Sequence, residues 1–269
     1  MGGIVHAIRG AIHGGHYIEF VNVEKSFGDH KVLDGISFYV DHGETVAIMG
    51  RSGVGKSVTL QHIMGFLKPD TGRIWVAGED ITDFSESRLR QIRHRITMVF
   101  QSGALFDSLS IFENVAFPLR EHRGYTEENI EEVVKGLLEM LEIGEFAEAY
   151  PAELSTGMKR AAAIARALAA SPEAILYDEP TTMVDPLMSQ HIAELIERLK
   201  RQLKLTSVVV THDTHLARRV ADRLVFLEEG RIAFFGTPKE VDACEDDMIR
   251  EFFREDEIPA VTGYKLSHK

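Results

Sequence analysis

The sequence predicts an α/β fold, with a strand-rich part at the N-terminal end, a helical insertion in the middle and a return to alternating strand and helix. Three observations carry this. Short apolar runs separated by Gly and Asp turns fill the stretch from Tyr17 to Val76, the pattern of strands. From Gln101 to about Ala170 the apolar spacing changes to three and four, the pattern of helices. Beyond that, single apolar runs alternate with helical stretches, as in sheets joined by crossover helices.

Met1 to His16 carries Gly10, Gly14 and Gly15 without a period and reads as a mobile leader. It lacks the continuous apolar region of a secretory signal. His6, His13 and His16 read as a solvated tail rather than a metal cluster, since no carboxylate or thiol joins them. Strands are expected at Ile18–Val21, Val32–Val40 and Thr45–Met49, the last running through Gly50 into a Gly-rich loop and a helix. Further strands are expected at Arg73–Val76, Ile96–Phe100, Ala174–Tyr177, Ser207–Thr211 and Leu224–Leu227.

Ile130, Val133, Val134, Leu137, Leu138 and Leu141 define one helical face, with Thr126 as N-cap and Glu127 and Glu128 favourable in the first turn. A second helix starts after Ser155 and stops before Pro172. A third starts with Asp185 as cap and Pro186 at the first helical position, where a missing N–H costs nothing. In the tail, Met248, Ile249, Phe252 and Phe253 share one helical face ahead of Pro259 and Gly263. That face either docks on its own domain or reaches a second subunit.

Composition narrows the function. Of 269 residues, 44% are hydrophobic, enough for a sizeable core. The net charge of -12 disfavours nucleic acid and anionic lipid surfaces. An anionic ligand therefore needs a local concentration of donors. The single cysteine, Cys244, forms no intrachain disulfide and reads as a packing residue. No stretch approaches the ~18 apolar residues of a spanning helix, so a cytosolic chain is expected.

Such a concentration of donors is present. Gly50-Arg51-Ser52-Gly53-Val54-Gly55-Lys56-Ser57 matches G-x-x-x-x-G-K-[ST]. Glycines let successive N–H groups converge on a phosphate, and the following helix, beginning near Gly55 and including Val58, adds its positive end. Lys56 suits the β- and γ-phosphates, and the Ser57 hydroxyl suits Mg2+. A second pattern, Ala174-Ile175-Leu176-Tyr177-Asp178-Glu179, is an apolar strand ending in two acids. Alone it reads equally as a solvated strand terminus. Beside the phosphate loop it reads as Asp178 near Mg2+ and Glu179 polarising a water.

Leu154-Ser155-Thr156-Gly157-Met158 resembles the signature of ABC ATPases, usually Leu-Ser-Gly-Gly-Gln. Phe27, Gln101, Asp185 and His212 match, in order, the adenine-stacking aromatic, the Q-loop, the D-loop and the switch histidine. Singly, Phe27 reads as core, and Gln101 and His212 as strand-end polar residues; the ordered set is specific, and it spans about residues 17–241. The resemblance implies an α/β P-loop NTPase of ABC type, a mixed sheet core with an antiparallel β subdomain and an inserted helical subdomain. It implies a homodimer in which ATP lies between the phosphate loop of one chain and the signature of the other. Glu179, His212 and Gln101 are then catalytic. Ser57, Gln101 and Asp178 surround Mg2+, Ser155 and Gly157 face the partner's γ-phosphate, and Asp185 reports across the interface. Thr156, Met158 and the Met183-Val184 pair depart from the usual residues. The bulk of Thr156 puts the rate in question.

The segment from Gln101 to His122, QSGALFDSLSIFENVAFPLREH, looks like the ATPase of the maintenance-of-lipid-asymmetry phospholipid transporter and its Mce-type relatives. This implies an integral-membrane permease, an Mce-domain lipid-binding protein, and attachment to the cytoplasmic face of the inner membrane. Leu105 and Phe106 are expected either at the permease surface or packed within the helical insertion. The expected division is a leader 1–16, an ABC ATPase domain 17–245 with its helical subdomain at about 102–170, and an extension 246–269. A non-transport ABC ATPase of the iron–sulfur assembly type, or an importer subunit for another cargo, is the alternative. Coiled-coil, zinc and second nucleotide-binding segments of the repair and translation types do not occur in the sequence.

Overall fold

The computed structural model describes residues 15–121 and 124–255. The leader expectation, with His6 and His13, lies outside the described residues up to residue 14. His16 is not a free tail residue: its ring stacks on Tyr39 at 3.9 Å and its Nδ1 pairs with Asp41.

The N-terminal strands form an antiparallel sheet. β1 (Ile18–Phe27), β2 (His30–Val40), β4 (Thr71–Val76) and β5 (Glu79–Asp80) lie in the order β2-β1-β4-β5. Phe20 pairs with Phe38 across β1 and β2, and their rings stack at 4.7 Å. β1 runs past the expected end at Val21, because bulges after Phe20 and Val23 bend it without ending its pairing.

The second sheet holds β3 (Thr45–Met49), β6 (Ile96–Val99), β7 (Ala174–Asp178), β8 (Thr206–Val210), β9 (Arg223–Glu228) and β10 (Arg231–Gly236). Its order is β10-β9-β3-β8-β7-β6, parallel except for the edge strand β10. Every residue of β3 and β8 is buried, as befits parallel strands covered on both faces. α1 (Lys56–Ile63) contributes Leu60 and Ile63 to a core that joins both sheets through Phe20, Ile48 and Val208.

α2 (Glu86–Arg95) buries only Leu89 and Ile92. The insertion comprises α3 (Ile111–Glu121), α4 (Glu127–Met140), two short 3₁₀ turns and α5 (Thr156–Ala169). Thr126 accepts a hydrogen bond from the Asn129 N–H, so the expected cap of α4 is present. Ile130, Val134, Leu138 and Leu141 are buried, whereas Val133, placed on the same face by spacing, is exposed. It lies at the edge of the stripe, away from the core side. The insertion's core is continuous with that of the sheet, through Ile175, Tyr177 and Val209.

α6 (Pro186–Leu203) starts at Asp185 with Pro186 first, as expected. α7 (Thr214–Val220) and α8 (Pro238–Asp242) follow. α9 (Asp247–Glu255) settles the tail alternative for the described residues: Ile249 and Phe253 are buried against Phe226 of the same chain. Met248 and Phe252 pack beside them, and Cys244 belongs to the same cluster, as a packing residue should. Pro259 and Gly263 lie outside the described residues.

One buried group links this fold to pH. His62 of α1 is fully buried; its Nδ1 lies 2.8 Å from the Val58 carbonyl and its Nε2 has no hydrogen-bond partner. Burial pushes the imidazole below the ordinary value of 6.5, assisted by Lys25 and opposed by the Val58 bond and Asp70. The unfolded chain then binds the extra proton first, so stability is full above pH 6.5 and falls as pH drops through that value towards the folded one. Urea midpoints of the wild type should fall more steeply as pH drops below 6.5 than those of His62→Leu. Equal slopes would contradict the assignment.

Candidate functional site

An open cleft of about 630 Å³ lies at the end of β3, where the phosphate loop leads into α1. Arg51, Ser52, Gly53, Gly55, Lys56, Ser57 and Val58 line one wall; Phe27, His30 and Val32 line another; Gln101, Glu179, Thr182 and His212 complete it. Thus Phe27, Gln101, Glu179 and His212, scattered along the chain, converge on the loop. Val54 instead packs towards the core, and Gly50 sits at the loop's root.

The loop's shape depends on glycine at two points. Gly50 has φ +140, and a Cβ there would lie 2.3 Å from the Leu227 carbonyl oxygen. Gly55 has φ +107, and a Cβ would meet Leu33 at 2.7 Å. Gly55 caps α1 without a side-chain hydrogen bond, and the first turn has no acidic residue. The helix start therefore keeps its N–H donors and positive end available for an anion.

Lys56 is buried and curls back over the loop. Its Nζ donates to the carbonyls of Gly50 at 2.8 Å and Arg51 at 3.1 Å, and lies 3.6 Å from Glu179 Oε1. Ser57 Oγ donates to Asp178 Oδ1 at 3.0 Å. Burial raises Asp178 above the ordinary carboxylate value; the Ser57 bond and the charges of Lys56 and Arg160 oppose this, and Glu179 adds to it. A desolvated carboxylate beside a hydroxyl is a pair of hard oxygen donors suited to a small divalent cation. Among the described residues no group of three or more His, Cys, Asp or Glu is placed to hold a metal ion. The donor set therefore fits Mg2+, which typically keeps waters and substrate phosphates in its shell.

Glu179 follows β7 in a left-handed conformation, φ +47, and its N–H donates to the Val210 carbonyl at 2.9 Å. Its Oε2 lies 2.8 Å from His212 Nδ1 and 3.4 Å from the His212 backbone N, and accepts from Thr182 Oγ1 at 3.1 Å. The paired acids thus split: Asp178 turns to Ser57, and Glu179 to His212 and Lys56.

Ser155, Gly157 and Asp185 do not line this cleft. Ser155 is exposed and caps α5, accepting from the Met158 N–H at 3.3 Å. Asp185 caps α6, accepting from the Met188 N–H at 3.0 Å. The two helix starts meet at Gly157, where a Cβ would lie 2.2 Å from Met188 Cγ. Thr156 points outward and leaves that contact intact. Flanking Asp185, Met183 and Leu187 are 87% and 77% exposed. Buried Arg160 of α5 donates to the Phe100 carbonyl at 2.8 Å, tying α5 to the residue before Gln101. Gln101 itself is exposed in the turn after β6 rather than at its end.

Sequence reading missed His30, Val32 and Thr182. His30 and Val32 reach the cleft only because β2 folds back beside Phe27. Thr182 sits in the run between Glu179 and Asp185, and that position was its only signal.

The ABC transporter family model matches residues 33–182, from within β2 to the turn after Glu179. The chain belongs to the ABC transporter ATPase family. As the ATP-binding subunit of an ABC transporter, it hydrolyses ATP to drive transport. This ATPase is 40% identical over 237 residues to the intermembrane phospholipid transport system ATP-binding protein MlaF of Haemophilus influenzae, covering 88% of this chain and 90% of that one. It is 36% identical over 236 residues to the probable ribonucleotide transport ATP-binding protein mkl of Mycobacterium leprae, covering 87% and 68% respectively. Its fold matches the dimeric post-hydrolysis structure of the ATP-binding cassette MJ0796, bound to ADP and Pi, with a TM-score of 0.75 and 33% identity over 82% of this chain and 98% of that one. No helix among the described residues is long and apolar enough to cross a membrane. ATPases of this family work with membrane permeases.

Proposed function

We propose that this ATPase drives phospholipid transport between membranes, as a homodimer with two shared ATP sites, bound to an integral-membrane permease and an Mce-domain lipid-binding protein. The observation that carries the chemistry is the convergence of the phosphate loop, Gln101, Glu179 and His212 on one cleft, with exposed Ser155 capping a separate helix start whose Gly157 is buried against Met188. A single chain leaves that second anion site without a phosphate; a head-to-tail partner supplies one.

In this reading the loop N–H groups and Lys56 hold the β- and γ-phosphates, and Phe27 stacks on adenine. Arg51, Ser52, Gly53, Val54, Gly55 and Val58 shape the rest of the cradle. Ser57, Asp178 and Gln101 would hold Mg2+, which supplies charge neutralisation of the phosphate oxygens when bound. A water attacks the γ-phosphorus and gives its proton to Glu179, while the bond to the bridging oxygen breaks and ADP leaves. His212 holds Glu179, and Asp185 reports to the partner. The ATPase domain runs from about residue 17 to 245, with its helical subdomain at about 102–170, and the chain works on the cytoplasmic face of the inner membrane. The extension from 246 begins with the docked α9.

The 40% identity to the phospholipid-transport relative supports the cargo, together with the segment after Gln101. In that segment Phe106 and Phe117 are 43% and 41% exposed, with rings 5.0 Å apart. Leu105 packs against the helical core. Such an aromatic pair is suited to a partner helix. Phe106→Glu is expected to abolish co-purification with the permease while ATP affinity stays within about twofold. A complex that survives the change removes this surface from the interface. Cargo is tested by reconstituting the complex in vesicles and following labelled phospholipid. ATP-dependent transfer supports the reading; turnover without transfer favours another cargo.

A further inference from the structure

We infer that Thr182 is a positioning residue for hydrolysis: its hydroxyl holds Glu179 Oε2 so that Oε1 is the atom left to take the proton from the attacking water. This rests on Glu179 acting as the base.

The two oxygens of Glu179 are treated differently. Oε2 faces His212 and accepts from Thr182, at 2.8 and 3.1 Å. Oε1 faces Lys56 at 3.6 Å, and Glu179 lines the cleft. A carboxylate turns easily about its last torsion, so one contact leaves it free to rock and two fix its plane. The His212 side chain is more than half exposed and is the more solvent-accessible of the two anchors. Thr182 is half-buried, and its N–H also donates to the Glu179 carbonyl at 3.2 Å. One residue therefore grips both the backbone and the carboxylate of Glu179.

The turn around it is anchored independently. Thr181 Oγ1 donates to Asp213 Oδ2 at 3.1 Å, and Asp213 Oδ1 accepts from the Leu216 N–H at 2.9 Å as the cap of α7. This joins the Glu179 turn to the loop that carries His212. Glu179 at φ +47 and Met183 at φ +61 both sit in the left-handed region. Surroundings that over-determine a strained turn hold such conformations in place. The Thr182 hydroxyl lies between these two points, at the wall of the cleft.

Three variants of the full chain test the inference: Thr182→Val, Thr182→Ser and Glu179→Gln, each assayed for kcat, KM for ATP and melting temperature. Val keeps the branched shape and loses the hydroxyl; Ser keeps the hydroxyl. Thr182→Val is expected to lower kcat about tenfold, with KM within about twofold and melting unchanged, while Thr182→Ser stays near wild type. If Thr182→Val turns over at the wild-type rate while Glu179→Gln is inactive, the inference is overturned. Equal losses in Ser and Val overturn it as well, since the hydroxyl would not matter. Should Glu179→Gln hydrolyse normally, the fault lies in the underlying assignment of the base.

Discussion

Glu179→Gln is expected to lower ATP turnover by about two to four orders of magnitude and to leave an ATP-loaded dimer that elutes at twice the mass of the free chain. Gln matches Glu in shape, and its amide can still meet His212 and Thr182, which lie at 2.8 and 3.1 Å from the present carboxylate. What it cannot do is accept a proton from water. The Lys56 contact at 3.6 Å loses its charge partner, which does not oppose binding of a polyanion. Binding should therefore survive while the chemical step fails. Normal turnover in this variant would remove Glu179 from the base role and leave His212 without its assigned task.

Lys56→Met and Ser155→Asp are each expected to reduce turnover by about two orders of magnitude or more, for opposite reasons. Lys56 is buried, with its ammonium tied to two loop carbonyls at 2.8 and 3.1 Å. In the proposed reading a phosphate takes the place of those carbonyls. Met preserves the stem and removes the charge, so the cradle loses its strongest donor. Ser155 lies outside the cleft and caps α5. Asp is an equally good cap, so α5 should stay folded. Its negative charge repels a phosphate that arrives from the partner. The loss in Ser155→Asp should therefore come without a drop in melting temperature.

Much of the fold was legible because its elements carry local punctuation. Thr126 and Asp185 cap the helices they were expected to cap, and the helix expected after Ser155 starts there. The runs Thr45–Met49 and Ala174–Tyr177 became interior strands of the second sheet. Strand order was not legible. β3 lies between β8 and β9, more than 150 residues away in sequence, and no periodicity encodes such pairing. α2 was also not read, since a helix that buries only Leu89 and Ile92 has too narrow an apolar stripe. β5 and β10 were missed as well: one has two residues, and the other is a half-exposed edge.

The site divides in the same way. The phosphate loop is contiguous, so its residues could be named from the sequence. Glu179 and His212 lie 33 residues apart, and only their motif order suggested that they meet. Thr182, His30 and Val32 belong to no motif and enter the cleft through tertiary convergence. Arg160 looks like an exposed helix cation in sequence but is 4% exposed, held by the Phe100 carbonyl. Phe106 was evenly poised between core and surface; its neighbour Leu105 took the core position, and Phe106 lies outside with Phe117.

The most direct test is a mixed dimer. Lys56→Met and Ser155→Asp chains carrying different tags are co-expressed and purified through both tags, so that each dimer holds one chain of each kind. Pockets built from two chains leave one pocket with both defects and one with neither, and the mixed dimer should regain up to about half the wild-type turnover. If it is as inactive as either parent dimer, ATP is not held between the Gly50–Ser57 loop of one chain and the Ser155 helix start of another.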